Sequence, residues 1–184
     1  TGEKKKTIEF MKRFSRIGIL LILCLGISLL NPNFLKITNL INVLRTASPQ
    51  IIIAFGMTFV MLTGGIDLSL GSAVTLTSVI AGYFLAGTKL PWPIAIIASI
   101  GAGALSGLLI GLLVSVVKLP PAVASYGMLW VDRGIAFAIM GAKPFFDFHE
   151  NFRYLGRGIF LGIPVPIWIL FFITLILMFT LKFT

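Results

Sequence analysis

The sequence predicts an all-α polytopic membrane helix bundle of about six spans, with a glycine-rich broken segment near residues 63–72. Three observations predict it. First, 58% of the 184 residues are hydrophobic and only 11% are charged, where a soluble domain carries about 25% charged residues. Second, the apolar residues come in continuous runs, without the alternation of membrane-barrel strands. Third, lipid cannot hydrogen-bond a backbone, so each run must satisfy its own polar groups as a helix. A soluble chain of this length offers too little interior to bury so many runs.

The elements follow in order. Residues 1–16 form a basic segment with Lys4, Lys5, Lys6, Lys12, Arg13 and Arg16, and residues 17–184 form the transmembrane domain. The first apolar run, roughly 14 to 30, stops at Asn31-Pro32-Asn33, a cluster that ends helices. No small-x-small cleavage pattern follows, so the run reads as an uncleaved span and not a removed targeting peptide. Residues 34–46 mix Leu35, Leu40, Ile41 and Leu44 with Lys36, Asn39 and Arg45, which reads as a short helix lying in the interface. The second span is Ser48 to Leu62, with Pro49 in its first turn. A third runs from about Leu70 to Ala86. The exposed turn GTKLPWP follows, with Trp92 near the aromatic belt.

The fourth span, Pro93 to Val117, is the longest. Gly103, Gly107 and Gly111 recur four apart along it, a spacing that lets helices approach closely. The fifth span, about Ala122 to Met140, carries Asp132 and Arg133. Residues 141–162 form a polar loop, and the sixth span runs from about Ile163 to Leu181.

The formal charge of +9 does not point to nucleic acid. Six of the fifteen basic residues precede the first apolar run, where they act as a topology signal and meet anionic headgroups of the lipid bilayer. That end is expected to be cytoplasmic. GTKLPWP and the 141–162 loop then lie outside, and Lys118 and Lys182 inside.

Two polar features interrupt the runs. In TGGIDLSLGS, Thr63 to Ser72, Gly64 and Gly65 can end one helix, and Asp67 or Ser69 can cap the next, with Gly71 just beyond. Non-helical backbone survives at membrane depth only when buried in protein or lining a wet cavity, and transporters use such breaks at solute sites. Helix cap and pathway are therefore both open readings for Gly64, Gly65, Asp67, Ser69 and Gly71. Asp132 and Arg133 form a candidate intramembrane polar network. Neighbours on a helix point about 100° apart, so they are not a simple facing pair and each needs its own partner. A structural bond between helices and a role in a translocation path both fit.

No catalytic constellation, cofactor motif or metal site is present in the sequence. No nucleotide-binding loop occurs, so any ATP hydrolysis belongs to another chain. Cys24 sits inside an apolar run, and His149 with Glu150 and Asp147 reads as a solvated loop feature.

The run GGIDLSLGSAVTLTSVIAGYF, Gly64 to Phe84, closely resembles the signature segment of ribose-type sugar permeases of bacterial binding-protein-dependent ABC importers. LPPAVASYGMLWVDRGIAFAIMGAKPF, Leu119 to Phe145, is a second match, through Gly127 and Arg133-Gly134. The basic amino end, NPNF and PQIIIAFGMTFVMLTGG also fit, and Asp132 and Pro120-Pro121 depart from the pattern. The resemblance implies an inner-membrane, multi-pass permease subunit, non-enzymatic, that moves a monosaccharide inward. It implies a second permease subunit, cytoplasmic ATPase subunits and a periplasmic sugar-binding protein as partners. Such permeases have about ten spans, so the chain is similar to their amino-terminal portion only. A branched-chain amino acid permease, an ion-coupled secondary transporter fragment and a non-transport scaffold are the alternatives.

Overall fold

A computed structural model describes residues 2–88, 90–141 and 143–183, with the side chains of 2–14, 16 and 183 outside that description. The basic side chains on which the expected orientation rests therefore lie outside the described residues. The chain divides into two compact units, Thr1–Thr46 and Ala47–Thr184.

In the first unit, α1 runs from Gly2 to Leu30. It stops where predicted: Asn31 Oδ1 accepts the Asn33 N–H at 2.9 Å, folding the Asn-Pro-Asn cluster into a tight turn. Asn39 then donates from its side chain to the Phe34 carbonyl at 2.8 Å, tying the turn to the next helix. That helix, α2, runs without interruption from Ile37 to Leu62. No separate interfacial helix over 34–46 exists. Pro49 lies inside α2 rather than in its first turn; proline costs a helix one backbone bond but does not forbid it where other groups satisfy the freed carbonyl.

The second unit is built around α3, Leu70–Gly82, continued by a π-helical stretch Tyr83–Gly87. It packs against α4, Trp92–Ser115, and α5, Pro121–Met140, which also touch each other. Pro91 and Pro120 are N-caps of α4 and α5, with prolines in the first turn as well, where a missing N–H costs nothing. Leu76 and Val79 of α3 and Ala136 of α5 form the buried core, ringed by Ile80, Ile139, Met140 and Phe145. Phe145 can sit there because residue 82 is glycine: a Cβ on Gly82 would lie 2.7 Å from the Phe145 ring.

The 141–162 segment is not a featureless loop. It contains α6, Glu150–Arg157, and a two-residue strand β1, Ile159–Phe160, paired antiparallel with β2, Ile163–Pro164. His149 caps α6, its Nδ1 accepting the Asn151 N–H at 3.2 Å. The last helix, α7, spans Val165–Phe183 and packs against α6. Trp168 near its start donates to the Phe160 carbonyl at 3.1 Å and stacks on Phe172.

The fold is an all-α polytopic membrane bundle, with four helices among the described residues long and apolar enough to cross: Ile37–Leu62, Leu70–Gly87, Trp92–Ser115 and Val165–Lys182. The expectation of six is corrected by two elements. The apolar described part of α1, Ile17–Leu30, is shorter than the roughly 20 residues a perpendicular crossing needs. The helix α5 is long enough, but Asp132 and Arg133 reduce its apolar character below that of the other spans. Serine and threonine hydroxyls inside the helices mostly turn back on carbonyls three or four residues earlier, as at Thr58, Thr75 and Ser99. This satisfies them without water.

Candidate functional site at the helix break

The break is made by local chemistry first. After Leu62 the chain leaves the helix with Gly64 at φ +79°, a conformation that side chains resist. The Gly64 and Gly65 N–H groups close the end by donating to the Met61 and Val60 carbonyls at 2.9 and 3.1 Å. Gly65 is buried; a Cβ there would lie 3.3 Å from Val60 Cγ1 and 3.7 Å from Pro121 of α5.

Asp67 organises the restart. Its Oδ1 accepts from the Ser69 N–H at 2.7 Å and from the Ser69 hydroxyl at 2.6 Å. Ser69 occupies the N-cap position of α3, yet its hydroxyl is spent on Asp67 and makes no cap bond. The Ser69 carbonyl instead accepts from the Ala73 N–H at 2.9 Å and the Ser72 hydroxyl at 2.6 Å. Gly71 faces open space.

Tertiary structure then pins the break to α5 through Ser125, which is fully buried. Its hydroxyl oxygen accepts the Leu68 N–H at 3.1 Å. Its single proton has the Pro121 carbonyl at 2.8 Å and the Ile66 carbonyl at 3.2 Å within reach. Ser125 was not singled out from sequence, and its only local signal was a small polar residue in an apolar run, 57 residues from its partner.

The second polar group lies on α4 and α5. Asp132 is fully buried, and the Ser106 hydroxyl donates to its carboxylate at 2.9 Å from Oδ2 and 3.1 Å from Oδ1. Arg133 is exposed and turns the other way, its guanidinium 5.8 Å from the Trp130 ring centroid. Trp130 in turn meets Tyr126 edge-on at 6.4 Å. The structure thus joins Asp67 with Ser69 and Asp132 with Ser106, and leaves Arg133 with neither carboxylate. Of the small-residue series on α4, Gly103 stands against α3, where a Cβ would lie 3.2 Å from Thr77 Cγ2. Gly107 and Gly111 face open space within this chain. Among the described residues, no group of three or more His, Cys, Asp or Glu could hold a metal ion.

A polytopic helix bundle whose third helix restarts at a bonded, glycine-flanked break shares the discontinuous helices found in many transporters. The family described as branched-chain amino acid transport system, permease component, matches residues 39–184, and the chain belongs to it. Among curated relatives, the ribose import permease of Bacillus subtilis (strain 168) is 39% identical over 170 residues, covering 89% of this chain and 52% of that protein. The galactose/methyl galactoside import permease of Haemophilus influenzae is 31% identical over 172 residues, covering 86% and 51%. The autoinducer 2 import system permease of Salmonella typhi is 34% identical over 154 residues, covering 82% and 44%. The chain spans about half the length of the curated relatives it matches. No solved structure matches it.

Proposed function

We propose that this chain is part of a permease subunit that moves a monosaccharide inward in a binding-protein-dependent ABC importer of the bacterial inner membrane. The observation that carries the reading is similarity along nearly the whole chain to import permeases named for sugars, with ribose import permeases of three genera at 34–39% identity. The galactoside and galactofuranose permeases lie further away, at 31%. Ribose is thus the first sugar to try within a wider sugar class.

The partners follow from that reading: a second permease subunit, cytoplasmic ATPase subunits and a periplasmic sugar-binding protein. The permease itself supplies a pathway and two alternating states and hydrolyses nothing. Its amino terminus is cytoplasmic, as the basic run before Ile17 favours. Within it, Gly64, Gly65, Asp67 and Ser69 hold the restart of α3 against α5, so that the break moves with α5 when the subunit changes state.

The second reading, a branched-chain amino acid permease, is favoured by the description of the matching family. Proteoliposomes holding the assembled complex decide between them. Uptake of ribose or another monosaccharide, dependent on ATP and on the binding protein, is the expected result. Uptake of leucine in place of every sugar would establish the second reading, and uptake indifferent to the ATPase would refute both.

A further inference from the structure

We propose that the exposed face of α5 formed by Tyr126, Trp130, Arg133 and Phe137 lines a water-filled solute path, in which Trp130 and Arg133 contact the sugar. The inference rests on the monosaccharide reading above for the identity of the ligand, and on geometry for the wet face.

Depth comes first. The Ser106–Asp132 bond places the middle of α5 level with Ser106 of α4. Ser106 lies fourteen residues beyond Trp92 and nine before Ser115, so about 21 Å and about 13 Å from the two ends of that span. Arg133 is adjacent to Asp132. On its own helix it lies twelve residues after Pro121 and seven before Met140, about 18 Å and about 10 Å from the ends of α5, well inside the apolar run.

Direction comes next. At about 100° per residue, positions 126, 130, 133 and 137 fall within about 60° of one another. Tyr126 is 53%, Trp130 56% and Phe137 64% exposed, whereas Ala124, Met128, Asp132 and Ala136, on the other side, are buried. A guanidinium remains charged at any relevant pH. Facing hydrocarbon, it would carry a large penalty; facing water or a polar ligand, it would not. The charge on this face of α5 thus favours water or a polar ligand over lipid, despite the aromatic rings.

Chemistry then selects the ligand. Tyr126 and Trp130 are held edge-to-face, and Arg133 is held against Trp130 at 5.8 Å. The ring faces offer flat apolar surface, and the guanidinium offers several fixed donors. A sugar ring has the complementary pattern: a C–H face that stacks on an aromatic ring and a rim of hydroxyl acceptors. A branched aliphatic amino acid has no such rim. Gly127 and Gly134 flank the face, and a Cβ at either would meet nothing. The glycines leave room for a solute beside the rings.

The test uses the assembled complex in proteoliposomes, in a Cys24→Ser background, with single substitutions Trp130→Cys and Phe137→Cys and with Leu108→Cys on α4 as an apolar control. A membrane-impermeant, hydrophilic thiol reagent is expected to modify the first two and spare the control. The transported sugar is expected to slow modification at Trp130→Cys several-fold. Arg133→Lys is expected to raise KM several-fold with little change in kcat, and Trp130→Phe to retain uptake that Trp130→Ala loses. Modification by a lipid-soluble reagent alone would overturn the proposal, as would spontaneous disulfide formation between two copies at Phe137→Cys without access for the reagent. Hydrophilic access unaffected by a sugar that the wild type transports would overturn the contact with sugar. A complex that transports no sugar yet labels at Trp130→Cys would refute the monosaccharide reading and uphold the wet face.

Discussion

Ser125 and Asp67 divide the work at the break. Asp67 accepts two short bonds from Ser69, one of them from the backbone, and charge-assisted bonds of this kind are about twice as strong as neutral ones. Ser125 satisfies a backbone N–H that has no helical partner. Removing it leaves a partly buried donor unmet, at a cost of up to about 1–3 kcal/mol. Ser125→Ala is therefore expected to lower the thermal unfolding temperature of the detergent-solubilised subunit, while Ser125→Thr, which keeps the hydroxyl, lowers it less. Equal melting of Ser125→Ala and wild type would contradict the arrangement. Asp67→Asn keeps an acceptor for Ser69 but loses its charge. It should reduce assembly or ATP-driven turnover while leaving the order of preference among sugars unchanged. A mutant that assembles normally and prefers a different sugar would show that Asp67 touches solute.

At the scale of elements, α3 is the helix that the others hold. Two glycines have a specific neighbour each: Gly103 of α4 stands against Thr77 of α3, and Gly82 of α3 against Phe145 in the segment after α5. Gly82→Leu would drive a side chain into the Phe145 ring, and overpacking of this kind costs about 1–3 kcal/mol. Gly103→Leu should behave similarly. A Cβ at Gly107 or Gly111 would meet no atom of this chain within 4 Å, so Gly107→Leu and Gly111→Leu should disturb the packing of α4 on α3 less. Folded yields after purification test the contrast, and equal losses at Gly103 and Gly107 would argue against it. The α4–α5 contact adds the Ser106–Asp132 bond. Asp132→Asn retains an acceptor for the Ser106 hydroxyl and is expected to be milder than Asp132→Leu, which strands that hydroxyl. A Ser106→Ala/Asp132→Leu pair should restore part of the difference, because both polar partners are then gone.

At the scale of the whole molecule, orientation is the property with the most consequences. With the basic end cytoplasmic and only the four strongly apolar helices crossing, Thr88 before α4 faces inward and Lys118 after it outward; with α1 crossing as well, the two exchange sides, Thr88 outward and Lys118 inward. Thr88→Cys should then react with an impermeant thiol reagent added outside sealed cells, and Lys118→Cys only after the inner face is opened. The reverse pattern would mean that α1 does not cross or that the basic end lies outside. If α5 crosses too, α6 and its capping His149 lie on the same side as Thr88, beside the start of α7.

Much of this was legible in the residues. Membrane class, the limits of α3, α4 and α7 to within a few residues, and the position of the break all follow from properties of short stretches. Hydropathy, the helix-ending power of Asn-Pro-Asn and the left-handed turn at Gly64 require no knowledge of distant residues. The number of strongly apolar spans was read too high because two elements cannot be judged by a run alone. The described apolar stretch of α1 is too short for a perpendicular crossing, and α5 carries Asp132 and Arg133 inside its apolar run. The fusion of residues 37–46 into α2 was missed for a related reason, since Pro49 reads locally as a helix start.

Partnership is what only the tertiary structure decided. Ser125 reaches Leu68 across 57 positions, and Ser106 reaches Asp132 across 26. Nothing in either local pattern names the other. The same holds for Gly103 packing while Gly107 does not, and for Asp132 turning inward while Arg133 turns out. Sequence determined that each buried polar group in a lipid-bound chain must have a partner, because hydrocarbon supplies none. Which atom fills that requirement depends on helix packing angles and depths, and these emerge only when all the helices are in place.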